Sequence, residues 1–194
     1  MNKDNIDAFF DSLTPEELKE KWENYNYLSP PRFTNITIVA SVSKDGSIGN
    51  SGDNSLIKTS KEDFKNFREL TEGNTVIMGR KTWESLPNKP LPNRLNIIVS
   101  STLENQSDAF VVNTLERAID LSYGKIFVIG GAQLYREAFK YNPNLILSVW
   151  HDRSLTGDVK FPKGWEEILK DYKRKSVKFK KEFDLERYEH KKIR

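Results

Sequence analysis

Residues Thr75 to Ser85 read T-V-I-M-G-R-K-T-W-E-S, and this stretch predicts a buried strand that leads directly into a helix. Residues 75–78 are apolar and partly β-branched, which is typical of a strand buried on both faces of a sheet. Gly79 permits the sharp turn. Arg80, Lys81 and Thr82 then lie at a helix N-terminus, where free N–H groups and the helix dipole attract an anion such as phosphate. A surface turn with incidental basic residues would show the same pattern, so this stretch alone leaves both interpretations open.

A second turn of the same kind follows the predicted strand over residues 125–129. The strand breaks there and a helix begins, with the residues Gly130, Gly131, Ala132, Gln133, Leu134 and Tyr135. Two anion-binding turns on one sheet indicate a dinucleotide laid across it, because its phosphates carry the charge that such turns attract. Neither turn matches the G-x-G-x-x-G fingerprint, so we expect a fold other than a standard Rossmann domain.

The alternation of strands and helices predicts an α/β fold with a mixed, mainly parallel central sheet, flanking helices and an antiparallel C-terminal hairpin. The predicted parallel strands are residues 36–42, 75–78, 95–100, 110–112, 125–129 and 145–150, and the hairpin strands are residues 172–179 and 183–193. Ligands of such sheets bind at the carboxyl ends of the strands. Residues 47–55 are rich in glycine and asparagine and are expected to form a loop of the kind that closes over a site.

Residues 1–33 differ from the rest of the chain, because they are acidic and end in the stiff Ser29-Pro30-Pro31 segment. We therefore predict an extension and linker over residues 1–33 and a catalytic domain over residues 34–194. The extension has the pattern of two short amphipathic helices, with apolar stripes formed by Ile6, Phe9, Phe10 and Leu13 and by Leu18, Trp22 and Tyr25. Such helices are marginal alone in water. We expect them to dock on the catalytic domain of the same chain or to form a dimer or partner interface.

The composition limits the classes of function. The chain has 194 residues, no cysteine and only two histidines, which excludes disulfides and thiolate ligands and argues against a metal site. A mean hydropathy of −0.66, with no long apolar run and no signal peptide, predicts no membrane contact and a cytoplasmic protein. The net charge is +3, and basic residues concentrate in residues 170–181. They could contact nucleic acid, but we favour an edge hairpin whose lysines oppose sheet-to-sheet aggregation.

Asp63 is the acid whose position most needs an explanation. Ser60 is a predicted helix N-cap, so Asp63 lies in the first turn, on the same helical face as Phe67 and Leu70. That face should turn inward, and a carboxylate buried among apolar side chains is costly unless a partner pairs with it. A cationic or amidine-like ligand would be such a partner. The alternative is that Asp63 completes a capping box with Ser60, since acids are common in a first helical turn.

The motifs of the chain, taken in order, resemble those of dihydrofolate reductase from Ile36 to the C-terminus. They are Ile48-Gly49, Asp63-Phe64-Lys65-Asn66-Phe67, residues 76–85, Pro90-Leu91-Pro92-Asn93-Arg94, residues 96–101, Val128-Ile129-Gly130-Gly131 with Tyr135, and Gly157-Asp158 with Phe161-Pro162. This resemblance implies NADPH-dependent reduction of 7,8-dihydrofolate to tetrahydrofolate, a reaction of one-carbon metabolism. It also implies roles for individual residues.

By this resemblance Asp63 would be the catalytic acid, which binds the amino and ring N–H groups of the pterin and promotes protonation beside the carbon that receives hydride. Arg94 would bind the α-carboxylate of the glutamate tail, and the Ser148 hydroxyl would support Asp63. The implied substrate-binding residues are Val39, Ala40, Asp63, Phe64, Phe67, Leu86, Leu91, Arg94 and Ser148.

The resemblance places the NADPH phosphates at both predicted turns and the nicotinamide between Ala40 and Ile48. The implied cofactor-binding residues are Ala40, Ile48, Gly49, Gly79, Arg80, Lys81, Thr82, Ser100, Ser101, Ile129, Gly130, Gly131, Ala132, Gln133, Leu134 and Tyr135. Gly130-Gly131 would carry the family's cis peptide bond, which is rare between residues other than proline.

One segment departs from the family pattern. The family usually has Pro-Trp shortly before the acid, whereas this chain reads Leu56-Ile57-Lys58-Thr59, so the usual water network of loop, acid and pterin lacks its tryptophan. Two other functions remain to be distinguished. A reductase of the same fold that acts on a ribosylaminopyrimidine phosphate would share the cofactor turns, but it would not be expected to pair Asp63 with Arg94. A non-catalytic binding module would keep the fold without turnover.

Overall fold

The computed structural model describes residues 36–104, 106–122 and 124–191. The predicted helices and linker of residues 1–33 lie outside these ranges. The strands are β1 (Ile36–Val42), β2 (Ser47–Gly49), β3 (Thr75–Gly79), β4 (Leu95–Val99), β5 (Phe110–Val112), β6 (Ile126–Gly130), β7 (Asn144–Trp150), β8 (Val159–Lys160), β9 (Tyr172–Phe179) and β10 (Phe183–His190). The helices are α1 (Lys61–Thr71), α2 (Arg80–Ser85), α3 (Leu115–Asp120), α4 (Ala132–Ala138) with a 3₁₀ turn (Phe139–Tyr141), and α5 (Trp165–Asp171).

Eight strands form one sheet in the order β5-β4-β3-β6-β1-β7-β10-β9. The six strands from β5 to β7 are parallel, whereas β10 is antiparallel to both β7 and β9. The predicted α/β fold with its antiparallel C-terminal hairpin is therefore confirmed. Strand β1 opens the described chain yet lies in the centre of the sheet, between β6 and β7.

Apolar side chains fill both faces of the sheet. One face carries the largest cluster, which includes Ile38, Val128, Leu147 and residues of α3 and α4. On the other face, α1 and the loop after α2 cover two smaller clusters built around Val76 and Trp150. Strand β1 shows the division directly, because its residues alternate between fully and partly buried. Continuous burial along β3 and β7 is what parallel strands covered on both faces require.

Two sequence predictions about the loops and the end of the chain are wrong. Ser47–Gly49, predicted as loop, forms β2 and pairs with β8 in a separate two-stranded sheet. Helix α5 was not predicted, although Glu167 accepts a hydrogen bond from the N–H of Gly164 at 2.9 Å, as in a helix start. The prediction that residues 50–55 close over a site stays a prediction. In the structure this loop is bound to the segment before β8, because Ser51 N donates to Asp158 Oδ1 at 2.8 Å.

The edge position of β9 explains the basic stretch in the sequence. Lys173, Arg174, Lys175 and Lys178 are exposed along this strand, which has β10 on one side only. Repeated positive charge on an edge strand opposes pairing with a second chain. Within the described residues, no helix is long and apolar enough to cross a membrane.

Candidate active site

Asp63 and Ser148 meet where the start of α1 passes over the carboxyl end of β7. Ser60 caps α1, because its hydroxyl accepts the N–H of Asp63 at 3.1 Å. The carboxylate itself points to the sheet, and Oδ1 accepts a hydrogen bond from Ser148 Oγ at 2.6 Å. Only half of the predicted capping box is thus seen among the described hydrogen bonds. The carboxylate of Asp63 faces the site instead of its own helix end.

The environment of Asp63 favours its protonated form. Burial raises the pKa of Asp63 above its ordinary value, and the hydrogen bond from Ser148 opposes part of that rise. Among the described residues, no cation pairs with this carboxylate. A partly buried acid without a protein cation is suited to bind the N–H groups of a ligand and to take part in proton transfer.

Arg94 lies at the other end of α1. Its Nε donates to the carbonyl of Pro92 at 2.8 Å and its Nη1 donates to Thr71 Oγ1 at 3.0 Å. Its guanidinium carbon is 6.0 Å from the centre of the Phe67 ring. These contacts fix the plane of the guanidinium while leaving further N–H groups for a ligand. Burial lowers the pKa of Arg94, but an arginine remains charged at neutral pH.

We call the strip along α1 from Asp63 to Arg94 the candidate substrate groove, and the spacing of these two residues defines its length. Asp63, Phe67 and Thr71 follow one another at intervals of four residues and therefore share one face of α1. Since an α-helix rises about 1.5 Å per residue, Asp63 and the Arg94-bound Thr71 are roughly 12 Å apart along α1. The groove thus offers an acid at one end and a cation at the other, with aromatic surface between them.

The remaining predicted substrate residues differ in burial. Ala40 is buried in the main core, and the side chains of Val39, Leu86 and Leu91 pack partly buried against the smaller clusters. Phe67 is half-buried, whereas Phe64 keeps 44% of its surface exposed. A ligand bound beside Phe64 would cover its exposed surface.

The two predicted anion turns lie side by side, since β3 and β6 are neighbours in the sheet. The predicted cis peptide bond is present between Gly130 and Gly131. Gly130 has a φ of 143°, and a Cβ there would lie 2.7 Å from Thr82 Oγ1, so the turn after β6 requires glycine. The expectation that the turn after β3 needs glycine at position 79 is wrong, because the φ of Gly79, −78°, is open to any residue. A Cβ on Gly79 would instead reach to 3.7 Å from Gly130 O and Gly131 N.

The polar groups predicted around the adenosine end lie at the ends of β3 and β4. Arg80 Nε is 2.6 Å from Glu84 Oε1, and its Nη1 donates to Thr102 Oγ1 at 3.0 Å. Ser100 Oγ accepts the N–H groups of Thr102 and Leu103 at 3.2 and 3.0 Å, which fixes the turn after β4. Lys81 and Ser101 are exposed. Arg80 is therefore oriented by acid and hydroxyl partners before any ligand binds.

Helix α4 presents its predicted residues in different ways. Gln133 is exposed, and Ala132 and Gly131 are half-buried at the start of the helix. Leu134 and Tyr135 are buried in the core, and the Tyr135 hydroxyl donates to the carbonyl of Val39 at 2.7 Å. The structure thus offers the backbone of this helix start to a ligand, while the Leu134 side chain points away into the core. Ile129 packs with the cluster around Val76.

Ile48 and Gly49 stand in β2, beside the end of β1. Ile48 is buried in the main core, and a Cβ on Gly49 would lie 2.3 Å from Ser55 O. Gly49 therefore lets residues 50–55 fold back closely over the strand. Of the predicted nicotinamide residues, Ala40 lies on β1, the strand next to β7, which carries Ser148, while Ile48 lies in the separate sheet of β2 and β8.

The predicted cofactor residues form one row across the carboxyl ends of four adjacent strands. Their order is Ser100 after β4, Arg80 after β3, Gly130 in β6 and Ala40 in β1. Neighbouring strands lie about 4.8 Å apart, so this row spans about 14 Å. An extended dinucleotide matches that span, and its end at Ala40 would lie beside Ser148 and Asp63.

Comparison with known proteins decides the family. A family model described as dihydrofolate reductase matches residues 35–190. The chain belongs to the dihydrofolate reductase family. It is 36% identical over 146 residues to the dihydrofolate reductase of Bacillus subtilis (strain 168), which covers 72% of this chain and 86% of that protein. Against the dihydrofolate reductase of Neisseria gonorrhoeae it is 39% identical over 150 residues, covering 74% of this chain and 91% of that protein.

A solved structure shows the same fold. The dihydrofolate reductase from Enterococcus faecalis complexed with NADP(H) and RAB-propyl superposes with a TM-score of 0.69 at 24% sequence identity, covering 81% of this chain and 97% of that one. The resemblance to dihydrofolate reductase read from the sequence motifs is confirmed. Family membership also decides against the ribosylaminopyrimidine phosphate reductase considered from the sequence.

Three residues of the dihydrofolate reductase site were missed. Thr71 holds Arg94 and is itself fixed, because its hydroxyl donates to Phe67 O at 2.8 Å. Its position eight residues after Asp63 on one helical face was the available signal. Glu84 stands four residues after Arg80, the spacing of a helical ion pair. The third residue, Thr102, binds Arg80 across 22 positions, which no local pattern indicates.

Proposed function

We propose that this chain reduces 7,8-dihydrofolate to tetrahydrofolate with NADPH, the reaction of its family, and that Asp63 and Arg94 hold opposite ends of the substrate. The observation that carries the assignment of roles is the partly buried Asp63, which has no cation partner among the described residues and stands roughly 12 Å along α1 from Thr71, the residue that holds Arg94. Dihydrofolate has a pterin rich in N–H groups at one end and carboxylates at the other. Few other small molecules have both features at this separation.

Asp63 acts at the pterin end. Its carboxylate accepts the amino and ring N–H groups of the pterin, and the hydrogen bond from Ser148 at 2.6 Å keeps the acceptor oxygens in place. Because burial raises the pKa of this acid, it is better able to supply a proton near neutral pH than an exposed aspartate. Asp63 thereby promotes protonation of the ring nitrogen next to the carbon that receives hydride.

Arg94 acts at the tail. Its Nε and one Nη are oriented by Pro92 and Thr71, so the guanidinium can bind a carboxylate through its remaining N–H groups without losing much side-chain freedom. Phe67 and the half-buried Leu86 and Leu91 give the aminobenzoyl group an apolar wall. The wall orients the substrate between its two polar ends.

The row from Ser100 to Ala40 fits NADPH, which supplies the hydride when bound. The fit is supported by the close approach of the two turns, because a Cβ on Gly130 would lie 2.7 Å from Thr82 Oγ1 and a Cβ on Gly79 would lie 3.7 Å from Gly130 O. Backbone N–H groups at the starts of α2 and α4 and the side chains of Arg80 and Lys81 supply donors for phosphate. Cytoplasmic location is part of this proposal.

The deciding experiment measures NADPH consumption by the full chain in the presence and in the absence of 7,8-dihydrofolate. Turnover that requires both compounds supports the proposal, and its absence would favour a non-catalytic binding module. A second substrate, a 7,8-dihydropterin without the aminobenzoylglutamate tail, tests the two ends separately. Arg94→Ala should raise the KM for dihydrofolate roughly 10- to 100-fold, the value of a charge-assisted hydrogen bond, and leave the KM for the tail-less compound unchanged.

We further propose that residues 1–33 dock on the catalytic domain of the same chain. A groove of about 340 Å³ lies at the amino ends of β1 and β7, next to Ile36, where the preceding segment joins the domain. Its lining residues include Leu70, Phe127, Ile146, Tyr188, Lys125, Lys175, Arg187 and Glu189, and Lys175 Nζ lies 2.8 Å from Glu189 Oε2. Residues 1–33 hold seven acidic and four basic residues along with two apolar stripes, so they complement an apolar groove with basic residues in its lining.

A further inference from the structure

A third polar side chain stands next to Ser148, the residue whose hydroxyl binds Asp63. Ser41 of β1 pairs in register with Ser148 of β7, so the two residues are neighbours across adjacent parallel strands. Alternation along the strand places Ser41 on the same face of the sheet as Val39, the face that α1 covers. Ser41 is half-buried.

Trp150 fixes the hydroxyl group of Ser41. The indole Nε1 of this fully buried tryptophan donates to Ser41 Oγ at 2.6 Å. The ring itself cannot easily turn, because Phe183 packs on it with ring centres 5.1 Å apart and Lys58 Nζ lies 5.4 Å from the ring centre. Lys58 is held in turn near Glu182 Oε1 and Asp152 Oδ2, at 3.7 and 3.9 Å.

The hydrogen-bond donors and acceptors of Trp150 and Ser41 determine what else Ser41 can bind. An indole N–H only donates, so Ser41 must accept from Trp150, and its own proton and second lone pair remain for another partner. Among the described residues, no acceptor for the Ser41 proton is found. A hydroxyl held in this way at the wall of a ligand groove is prepared to bind a polar ring edge.

We propose that Ser41, oriented by Trp150, is a further substrate-positioning residue that hydrogen-bonds the pterin beside the edge held by Asp63, directly or through one ordered water. The segment before the acid, Leu56-Ile57-Lys58-Thr59, has no indole to offer. In this chain the indole N–H near the acid comes from β7 and acts through Ser41. This inference rests on the proposed reaction.

The test compares Ser41→Ala with Ser41→Thr, which keeps the hydroxyl. Ser41→Ala should raise KM about 3- to 10-fold for dihydrofolate and equally for the tail-less dihydropterin, as expected for one neutral hydrogen bond, with a smaller change in kcat. Ser41→Thr should retain the wild-type KM for both. The KM for NADPH should stay unchanged in both variants. Ser122→Ala, which removes a half-buried serine hydroxyl bonded to Ala118 O outside the site, is the matched control and should change neither KM.

A spectroscopic readout separates a positioning role from a structural one. The indole N–H resonance of Trp150, assigned by its loss in Trp150→Phe, should move in Ser41→Ala and should move again in the wild type when substrate binds. If the wild type does not reduce dihydrofolate, the proposed function itself fails. If it does, and Ser41→Ala lowers only the melting temperature while KM is unchanged, or the Trp150 resonance does not respond to Ser41→Ala, the inference is overturned.

Discussion

Asp63 is subject to two opposing influences, burial that raises its pKa and a hydrogen bond from Ser148 that lowers it. Asp63→Asn keeps the volume of the side chain but removes the titrating group. We expect hydride transfer at neutral pH to fall roughly 10²- to 10⁴-fold, the usual contribution of a positioned acid or base. The loss should shrink at low pH, where the substrate arrives protonated. Pre-steady-state measurement of NADPH oxidation across pH checks this, and full turnover of the variant at neutral pH would exclude the role of Asp63.

The same raised pKa affects stability. The folded protein binds the Asp63 proton more tightly than the unfolded chain, so this group stabilises the fold below its ordinary pKa of 3.8. That stabilisation is lost as pH rises through the higher, folded pKa. Asp63→Asn should therefore gain melting temperature relative to the wild type as pH increases from acidic to neutral. Ser148→Ala removes the opposing hydrogen bond and should steepen the wild-type pH dependence. A melting-temperature difference that does not change with pH would contradict this account.

At the scale of single residues, the sequence predicted the residues of the candidate site better than their hydrogen-bond partners. Asp63, Ser148 and Arg94 stand in motifs that resemble a known family, so they could be identified before the fold was seen. Thr102 and Trp150 could not, because their partners Arg80 and Ser41 are 22 and 109 positions away. Such pairs are set by how the strands align, and no local period in the sequence encodes that.

Among the elements, the turn after β6 gives the sharpest prediction. Gly130→Ala would put a Cβ 2.7 Å from Thr82 Oγ1 at a φ of 143°. We expect a loss of about 2 kcal/mol or more, or roughly 5 °C in melting temperature. Gly131→Ala is the matched control, because its φ is −93° and its nearest contact would be 3.7 Å away. Equal destabilisation by the two substitutions would show that the contact with Thr82 is not what matters.

Helix α2 gives the prediction for the cofactor. Arg80 and Lys81 should favour NADPH over NADH, because the additional phosphate of NADPH gains charge-assisted hydrogen bonds that NADH cannot form. Changing both to alanine should mainly raise the KM for NADPH. Glu84, which pairs with Arg80 at 2.6 Å, provides the control. Glu84→Gln keeps the arginine and should keep the preference for NADPH. If the double variant keeps the preference for NADPH, the phosphate site is not at this turn.

Elements with a local sequence signal were predictable, and elements that depend on distant pairing were not. Strands β1, β5 and β9 were predicted with the bounds that the structure shows, because apolar runs and alternation are strong signals over a whole strand. Strands β2 and β8 have three and two residues. They form because Ser47 pairs with Lys160 and Gly49 pairs with Val159. These contacts join residues that are distant in the sequence. Helix α5 was hidden by the proline and glycine before it.

For the whole molecule, the proposed docking of residues 1–33 has a direct test. A chain that begins at Thr34 should keep hydride transfer, because every site residue named above lies in the catalytic domain. It should lose melting temperature, since the groove lined by Leu70 and Ile146 would lose its cover. Light scattering should give the monomer mass of each chain if the extension docks on its own domain. A dimer mass for the full chain alone would indicate a dimer interface instead.

Two substitutions in the groove lined by Leu70 and Ile146 sharpen this test. Lys175→Glu with Arg187→Glu reverses charge in the groove lining and should destabilise the full chain more than the shortened one, if acidic residues of the extension lie there. Lys178→Glu, on the same exposed strand but outside the groove, is the control. Complete loss of activity in a folded shortened chain would mean that the extension belongs to the active site.

The position of β1 in the sheet has a consequence for synthesis on the ribosome. This first described strand takes its neighbours from β6 and β7, which are made about a hundred residues later. The nascent chain must therefore carry β1 without a partner until Gly130 has emerged and with one open edge until Trp150 has emerged, and the cooperative fold has to wait for both. Stalled chains that end before Asn144 should be digested by protease as unfolded polypeptide, whereas chains that expose β10 should resist it.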